Sequence, residues 1–439
     1  MRVTVVLSNL ILPIPEKDSF SNLFQKLDSY YNMKHLLLLS SLLTLVFIGC
    51  SGGRNSSGEI KWRVKKLAVD ANEGIAIADF NGDGLPDISA GRNWYPAPDY
   101  VGQPVRGFDD WNGYVESNGD FAYDVNKDGH MDIVAGSFLP TEVHWYENPG
   151  PDRLKLGHQF IKHFLTDTGL SQNEASMMHD INGDGIPEWI TNSWNVNNAM
   201  AVWSFSTEER DVQVKKGKKI VTEKQWVPTL KKHLIGESGN GHGLAFGDIN
   251  GDGREDIMVG MGWYERPEGD PLGQKWIWHP HGGENWHASV PCLVRDMNED
   301  GINDVIWGKG HSYGLYWWEG QGVDDKGEPQ WKEHIIDESF SQPHALHWAD
   351  IDGDGEDELI TGKRIFAHNG KDDGGTDPSV VYYYEWNKAS NSFERHTIDD
   401  SGTVGIGLQI RTHDLDGDGD LDIALAGKLG THILFNEGR

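Results

Sequence analysis

Seven times along the chain, acidic residues recur with the spacing Asp-x-Asn/Asp-x-Asp-Gly-x-x-Asp/Glu. The sets are Asp79, Asn81, Asp83 and Asp87; Asp124, Asn126, Asp128 and Asp132; Asp180, Asn182, Asp184 and Glu188; Asp248, Asn250, Asp252 and Asp256; Asp296, Asn298, Asp300 and Asp304; Asp350, Asp352, Asp354 and Glu358; and Asp414, Asp416, Asp418 and Asp422. Alternate residues of a tight loop can aim their oxygens at one point. Positions 1, 3, 5 and 9 offer side chains, and position 7 a carbonyl. Calcium takes about six to eight hard oxygens in flexible geometry, whereas magnesium keeps its waters and wants a strict octahedron. The predicted chemistry is therefore Ca2+ binding in a structural role, up to seven ions, one per loop. The glycine at position 6 permits the sharp turn.

The elements that hold these loops are short. An EF-hand shares the Asp-x-Asp-x-Asp-Gly start but needs flanking helices and a Glu at position 12. Here the flanks are brief apolar runs such as Ile75–Ala78 and Asp256–Val259, bounded by Gly and polar residues, which read as strands. First-Asp positions lie 45 to 68 residues apart, a period with insertions. A third-strand segment follows, as in VHWYENPG (143–150), MGWYERPEG (261–269), LYWWEGQG (315–322) and VYYYEWN (381–387). An aromatic-x-x-His segment comes next, as at 160–164, 331–335 and 393–398, making four strands per unit. The chain stops after the third strand of unit seven, and a spare fourth-strand segment, Ile60–Val64, precedes unit one. The N-terminal strand is thus expected to complete the last unit, removing an open sheet edge.

The loops and their strand context resemble the FG-GAP or VCBS repeats of bacterial secreted proteins and integrin-like propellers, across residues 60–439. The resemblance implies an all-β fold, a seven-bladed β-propeller with one calcium loop per blade and the N-terminal strand closing the last blade. It also implies that each loop joins the innermost strand to the second. Residues at the start of first strands and the end of second strands then share the opposite mouth of the channel. The first set is Glu73, Asn118, Glu174, His242, Val290, His344 and Leu408; the second is Arg92, Lys309, Lys363 and Lys428, each after a Gly. Nearby lie His287, His311, Tyr313, Trp94, Tyr95, Trp194, Trp263 and Tyr264. Aromatics stack on sugar rings and cations hold carboxylates or polarise carbonyls. The substrate-binding candidates are Glu73, Arg92, Glu174, Trp263, Tyr264, His287, Lys309, His311, Lys363 and Lys428. His242 and His344 are the catalytic candidates, since imidazole is a base near working pH.

The start of the chain has another character. From Met33 it reads Lys-His, then an apolar run ending Phe47-Ile48-Gly49-Cys50. That is a secretory signal over 33–49. It is too short to span a bilayer comfortably, which takes ~20 apolar residues. The Gly-Cys junction resembles a bacterial lipobox, with Cys50 as the lipidated residue, 50–59 as a tether and 1–32 as an upstream segment from a start assigned too early. The expected location is the bacterial cell envelope, with membrane attachment through the lipid only. Two cysteines exclude a disulfide framework. A net charge of −30 excludes nucleic acid as a partner of the bulk surface. Residues 207–228, rich in Lys and Glu, read as an extended hairpin, and 368–379 as a surface loop.

Two functions are expected. One is elimination across a sugar C–O bond, a lyase or dehydratase acting on a carbohydrate or keto-sugar. Propeller polysaccharide lyases resemble this architecture, and the Trp-Tyr-Glu and Trp-x-x-His segments resemble the propeller domain of aldos-2-ulose dehydratase, whose cupin portion is absent. The other is a non-catalytic glycan- or protein-binding module. No Walker loop, GxGxxG or HExxH motif occurs.

Overall fold

The second strand of every repeat is buried at each of its positions: Asp87–Ala90, Asp132–Gly136, Glu188–Ser193, Asp256–Val259, Asp304–Gly308, Glu358–Gly362 and Asp422–Gly427. A strand covered on both faces reads as a near-continuous apolar run. The computed structural model describes residues 58–107, 110–111, 114–281 and 286–439. The segments 1–32 and 33–49, Cys50 and most of the tether lie outside the described residues.

The chain forms seven four-stranded antiparallel sheets, the arrangement of a seven-bladed propeller. Their first strands are Ile75–Ala78, Gly119–Tyr123, Asn173–His179, Leu244–Gly247, Leu293–Arg295, His347–Ala349 and Ile410–His413, numbered here as blades 1 to 7. In six blades the four strands follow in chain order. In blade 7 the order is Ile410–His413, Asp422–Gly427, Gly430–Asn436 and then Trp62–Ala68, paired Trp62 with Asn436 and Lys66 with His432.

Seven apolar cores lie between neighbouring blades. Ile88 and Ile75 of blade 1 pack with Leu415, Ala424 and Ile433 of blade 7, and Phe80 and Trp94 pack with Ile133 and Tyr146 of blade 2. Each of these aliphatic and aromatic side chains contributes about 1.5–3 kcal/mol on burial. The third and fourth strands add a ladder. His163 stacks on Trp145, His279 on Trp263, His334 on Trp317 and His396 on Tyr383, each with its direct cross-strand partner. A Glu two residues after the aromatic meets the same histidine, at 2.7 Å for Glu147–His163 and Glu319–His334 and 2.9 Å for Glu265–His279. The aromatic-Glu-His pattern is thus sheet structure.

Residues 207–228 form the expected hairpin, the outer part of a long pair in which Met200–Lys216 returns as Lys219–Gly236. Cys292 is buried in the core between blades 4 and 5, and burial pushes its thiol up to about 12. In a Cys50→Ser chain, an aromatic disulfide reagent at mild alkaline pH is expected to find no reactive thiol until denaturant is added, because thiolate is the reacting form. Rapid labelling of the native protein would contradict that burial.

Candidate functional site

A chain of charge crosses one mouth of the channel. Glu73 and Glu174 stand at the starts of the first strands of blades 1 and 3. Arg364 leaves blade 6 just after its second strand. Arg364 donates from Nε (2.7 Å) and Nη2 (2.9 Å) to the two oxygens of Glu73, and from Nη1 (2.7 Å) to Glu174 Oε1. All three are buried. Burial alone would raise the Glu73 carboxyl, but Arg364 and Lys428 hold it at about 2. For Glu174 burial is likewise overcome, by His242 and Arg364, and its carboxyl sits well below the usual range. Lys428 Nζ lies 3.9 Å from Glu73, and burial lowers its ammonium.

Against this chain stand three histidines. His242 Nε2 is 3.6 Å and His344 Nε2 3.0 Å from Glu174 Oε1. His311 Nε2 is 3.0 Å from His242 Nε2. The outer nitrogens fix the tautomers. His242 Nδ1 donates to the Ala288 carbonyl (2.7 Å), and His311 Nδ1 to Asp372 (2.8 Å). With both Nδ1 atoms carrying hydrogen, unprotonated rings would point their Nε2 lone pairs at each other. Two opposed lone pairs at that distance repel unless a proton or a cation lies between them. Burial and the neighbouring His242 lower His311 to about 4; burial and Arg364 lower His344 to about 3. Both rings are therefore neutral at physiological pH. The ligand atoms of Glu174, His242, His311 and His344 all lie within 4.8 Å of one another. Three imidazoles, two with their outer N–H anchored, and one carboxylate fit a first-row divalent cation.

Above the cluster opens a cavity of about 370 Å³, lined by Glu73, Asn118, Phe138, Glu174, Trp194, His242, His287, His311, Arg364, Phe366, His368, Asn369 and Lys428. That volume is in the range of small-molecule sites, about 300–1,000 Å³. Asp372 joins the rim to the floor, accepting from His368 Nδ1 (2.8 Å) as well as from His311.

At the other ends of the first strands lie the acidic loops. Position 1 gathers backbone amides: Asp79 accepts from Gly82, Asp83 and Gly84, and Asp180 from Gly183, Asp184 and Gly185. Position 9 accepts from the amide of position 2 in all seven loops, as Phe80 to Asp87 (3.0 Å) and Met297 to Asp304 (2.9 Å). Where position 9 is Asp, its other oxygen accepts from the end of the third strand, as Ala97 to Asp87 and Gly320 to Asp304. The fifth loop opens the segment that decides the family likeness.

Residues 296–361 match the FG-GAP-like repeat. That FG-GAP segment runs from the fifth loop to the second strand of blade 6. Among solved structures, the chain is similar to BBS1N in crystals of its complex with ARL6DN. The lead-soaked crystal gives 11% identity over 87% of this chain and 97% of that one, at a TM-score of 0.45. The mercury-soaked crystal gives 9% identity over 86% and 97%, at 0.44. No curated protein matches.

Around the channel mouth, the sequence-predicted residues divide. Glu73, Glu174, His242, His287, His311 and Lys428 line the cavity, with Asn118 and Trp194. His344 belongs to the cluster but is fully buried beneath the cavity, so its assignment as a base touching a ligand is corrected. Trp263 and Tyr264 are 1% exposed and packed between blades, which removes them from the substrate surface. Three of the predicted cations are also elsewhere. Arg92 pairs with Asp70 and Asp110. Lys309 Nζ sits 4.8 Å over the Tyr316 ring. Lys363 is buried and donates to Ser341, Gln342 and the Gly374 carbonyl. Of that ring of cations only Lys428 reaches the mouth. The sequence reading missed Arg364, Phe366, His368 and Asp372. The signal for Arg364 was its place one residue beyond the predicted Lys363.

The acidic loops fit calcium. Position 9 is buried in each loop, and burial, offset by backbone hydrogen bonds and aggravated by the neighbouring Asp residues, raises Asp87, Asp132 and Asp256 to about 7. Glu358 rises to about 8 and Asp422 to about 6 for the same first reason. In loops six and seven, carboxylate oxygens of positions 1, 3 and 9 lie within 4.8 Å of one another. A cation there removes the repulsion that otherwise favours protonation.

Proposed function

We propose that this protein is an exported, calcium-stabilised propeller whose channel mouth takes a carbohydrate bearing a carbonyl or carboxylate, held by a divalent cation on Glu174, His242 and His311. One observation carries the reading: two anchored imidazoles and a buried carboxylate turn their lone pairs toward one point at the floor of a cavity rimmed by Trp194, Phe366, His287 and His368. The calcium loops and the lipid anchor at Cys50 belong to the same proposal, and the Trp62–Ala68 strand acts in it as the latch of the ring.

When bound, such a cation would polarise a ligand carbonyl and acidify the adjacent C–H. The chain's own residues supply the rest. Arg364 and Lys428 complement negative charge on the ligand. Asp372 orients His368, whose ring stacks on His311 at 4.5 Å, as a base oriented by a carboxylate. A proton α to the carbonyl passes to imidazole, a double bond forms as the β C–O bond breaks, and the imidazolium returns its proton to the departing oxygen, releasing an alcohol. This moves the base from His242, now a cation ligand, and the buried His344 to the rim. A binding-only role for the same cavity differs in giving a complex and no product.

The test has two parts. Metal analysis of the purified full chain is expected to find one first-row divalent metal per chain beside calcium, reduced at least tenfold in His242→Ala and His311→Ala. Uronate polysaccharides and keto-sugars are then screened for a new ultraviolet-absorbing double bond. Metal without product or binding would reject the carbohydrate reading, and no transition metal in the parent chain would reject the centre.

A further inference from the structure

The blade 3 hairpin runs far beyond the sheet that bears it. The second strand of that blade pairs with it only at Trp189–Trp203 and Ile190–Val202. From Thr207 opposite Pro228 to Lys216 opposite Lys219, its two strands pair with each other. Ten residues at about 3.3 Å each carry the tip roughly 30 Å outward. The base is fixed in direction, because Arg210 donates to the carbonyls of Phe164 (3.0 Å) and Leu165 (2.9 Å) in blade 2 and to Thr229 Oγ1 (2.9 Å).

The tip reads Lys215-Lys216-Gly217-Lys218-Lys219, in a protein of net charge −30. Lys216 pairs with Glu223 and Lys224 with Glu209. Lys215, Lys218 and Lys219 have no acidic partner among the described ion pairs. A Debye length of about 8 Å at physiological salt separates this charge from the acidic body. Beside the lysines Ile220 is 72% exposed, and Trp226, nearer the base of the hairpin and opposite Glu209, is equally exposed. They lie on one face, since their cross-strand partners Lys215 and Glu209 are six residues apart on the facing strand. Neither belongs to an apolar core.

We propose that this basic, apolar-edged tip docks on an anionic lipid bilayer. Lysines near such a surface gain charge attraction, Trp is favoured at headgroup level, and an exposed Ile is accommodated at the acyl boundary. Nucleic acid would satisfy the lysines and leave Ile220 in water, whereas an anionic bilayer meets both the charge and the apolar edge. This inference is independent of the channel chemistry.

The experiment is co-sedimentation with vesicles, using the full chain with Cys50→Ser so that no acyl chain supplies attachment. Phosphatidylcholine vesicles doped with phosphatidylglycerol are expected to retain the protein in low salt and release it in high salt, and phosphatidylcholine alone to leave it in solution. Each of Lys218→Gln and Lys219→Gln lowers partitioning roughly fivefold. Replacing residues 213–222 by Asn-Gly, a two-residue turn that closes the shortened hairpin between the paired Val212 and Glu223 and keeps Arg210, abolishes retention without moving the melting temperature. Three results would overturn the inference: no retention of the parent, equal retention of a shortened chain that still folds, or capture of an oligonucleotide with no capture of vesicles.

Discussion

Chelation with EDTA is expected to lower the melting temperature by about 10 °C or more, and calcium alone to restore it. A ligand that binds only the folded state adds about 2.7 kcal/mol per site at a hundredfold excess over Kd, and with an unfolding entropy of about 2.1 cal/mol/K per residue each kcal/mol is worth roughly 1 °C in a propeller of this length. A single saturated loop would give about 3 °C, and three or more the full effect. The pH dependence separates this from a nonspecific salt effect. Without cation, Asp87, Asp132 and Asp256 protonate at about 7 in the folded state, and Glu358 at about 8. In the unfolded chain carboxyls titrate near ~4. Between those values the folded protein binds more protons than the unfolded one, so cation-free stability falls as pH rises from about 4 to about 8. Calcium takes the place of those protons and flattens the slope. The gap between EDTA and calcium melts should therefore be wider at about pH 8 than at about pH 5, as scanning calorimetry would show. Superimposable melts at both pH values would refute a structural role for calcium.

The blades were legible because the loop chemistry punctuates them. Asp-x-Asn/Asp-x-Asp-Gly marks the end of a first strand and the start of a second, and the buried second strands supply unbroken apolar runs. What the sequence could not give was the face of each aromatic. Trp263 and Tyr264 look like rim residues in a one-dimensional reading. The register that sets Trp263 opposite His279 turns the first into the sheet ladder, and blade packing covers the second.

The site was legible on the strand side and obscure on the loop side. Counting back from the acidic loop reaches Glu73, Glu174 and His242, which line the cavity, although the same count on blade 6 reaches His344 beneath it. The count of residues after a second strand is not constrained in this way. Beyond Gly362 one step exchanges Lys363, held by Ser341 and Gly374, for Arg364, which enters the channel. A one-residue slip along extended chain reverses the side chain. His368 and Asp372 lay in a Gly- and Asp-rich stretch that composition marks as solvated. Only the folded loop brings Asp372 to His311.

Substituting Arg364 by Met is expected to cost about 3–5 kcal/mol of stability, the range found when one partner of a buried ion pair is removed. That is a large share of the ~5–15 kcal/mol that holds a domain. The guanidinium satisfies both oxygens of Glu73 and one of Glu174, and both acids are almost sealed from water. Methionine fills similar space and leaves two carboxylates on one mouth, with Lys428 at 3.9 Å from Glu73 as the remaining cation. Glu73→Gln on the Arg364→Met background should recover part of the loss, because one of the stranded charges is gone; Arg364→Lys should recover less than the parent, having no fork to bind two carboxylates at once. The parent and Arg364→Met also differ in the sign of their acid response. In the parent, Glu73 is held at about 2, below its unfolded value of ~4.3, so its contribution is present above that value and lost as pH falls toward 2. Without the guanidinium, burial dominates and raises the same carboxyl, so Arg364→Met gains stability relative to the parent as pH falls through the carboxylate range. Urea midpoints measured across that range decide the matter. A constant difference between the two proteins at every pH would mean that Arg364 acts by packing and not by charge.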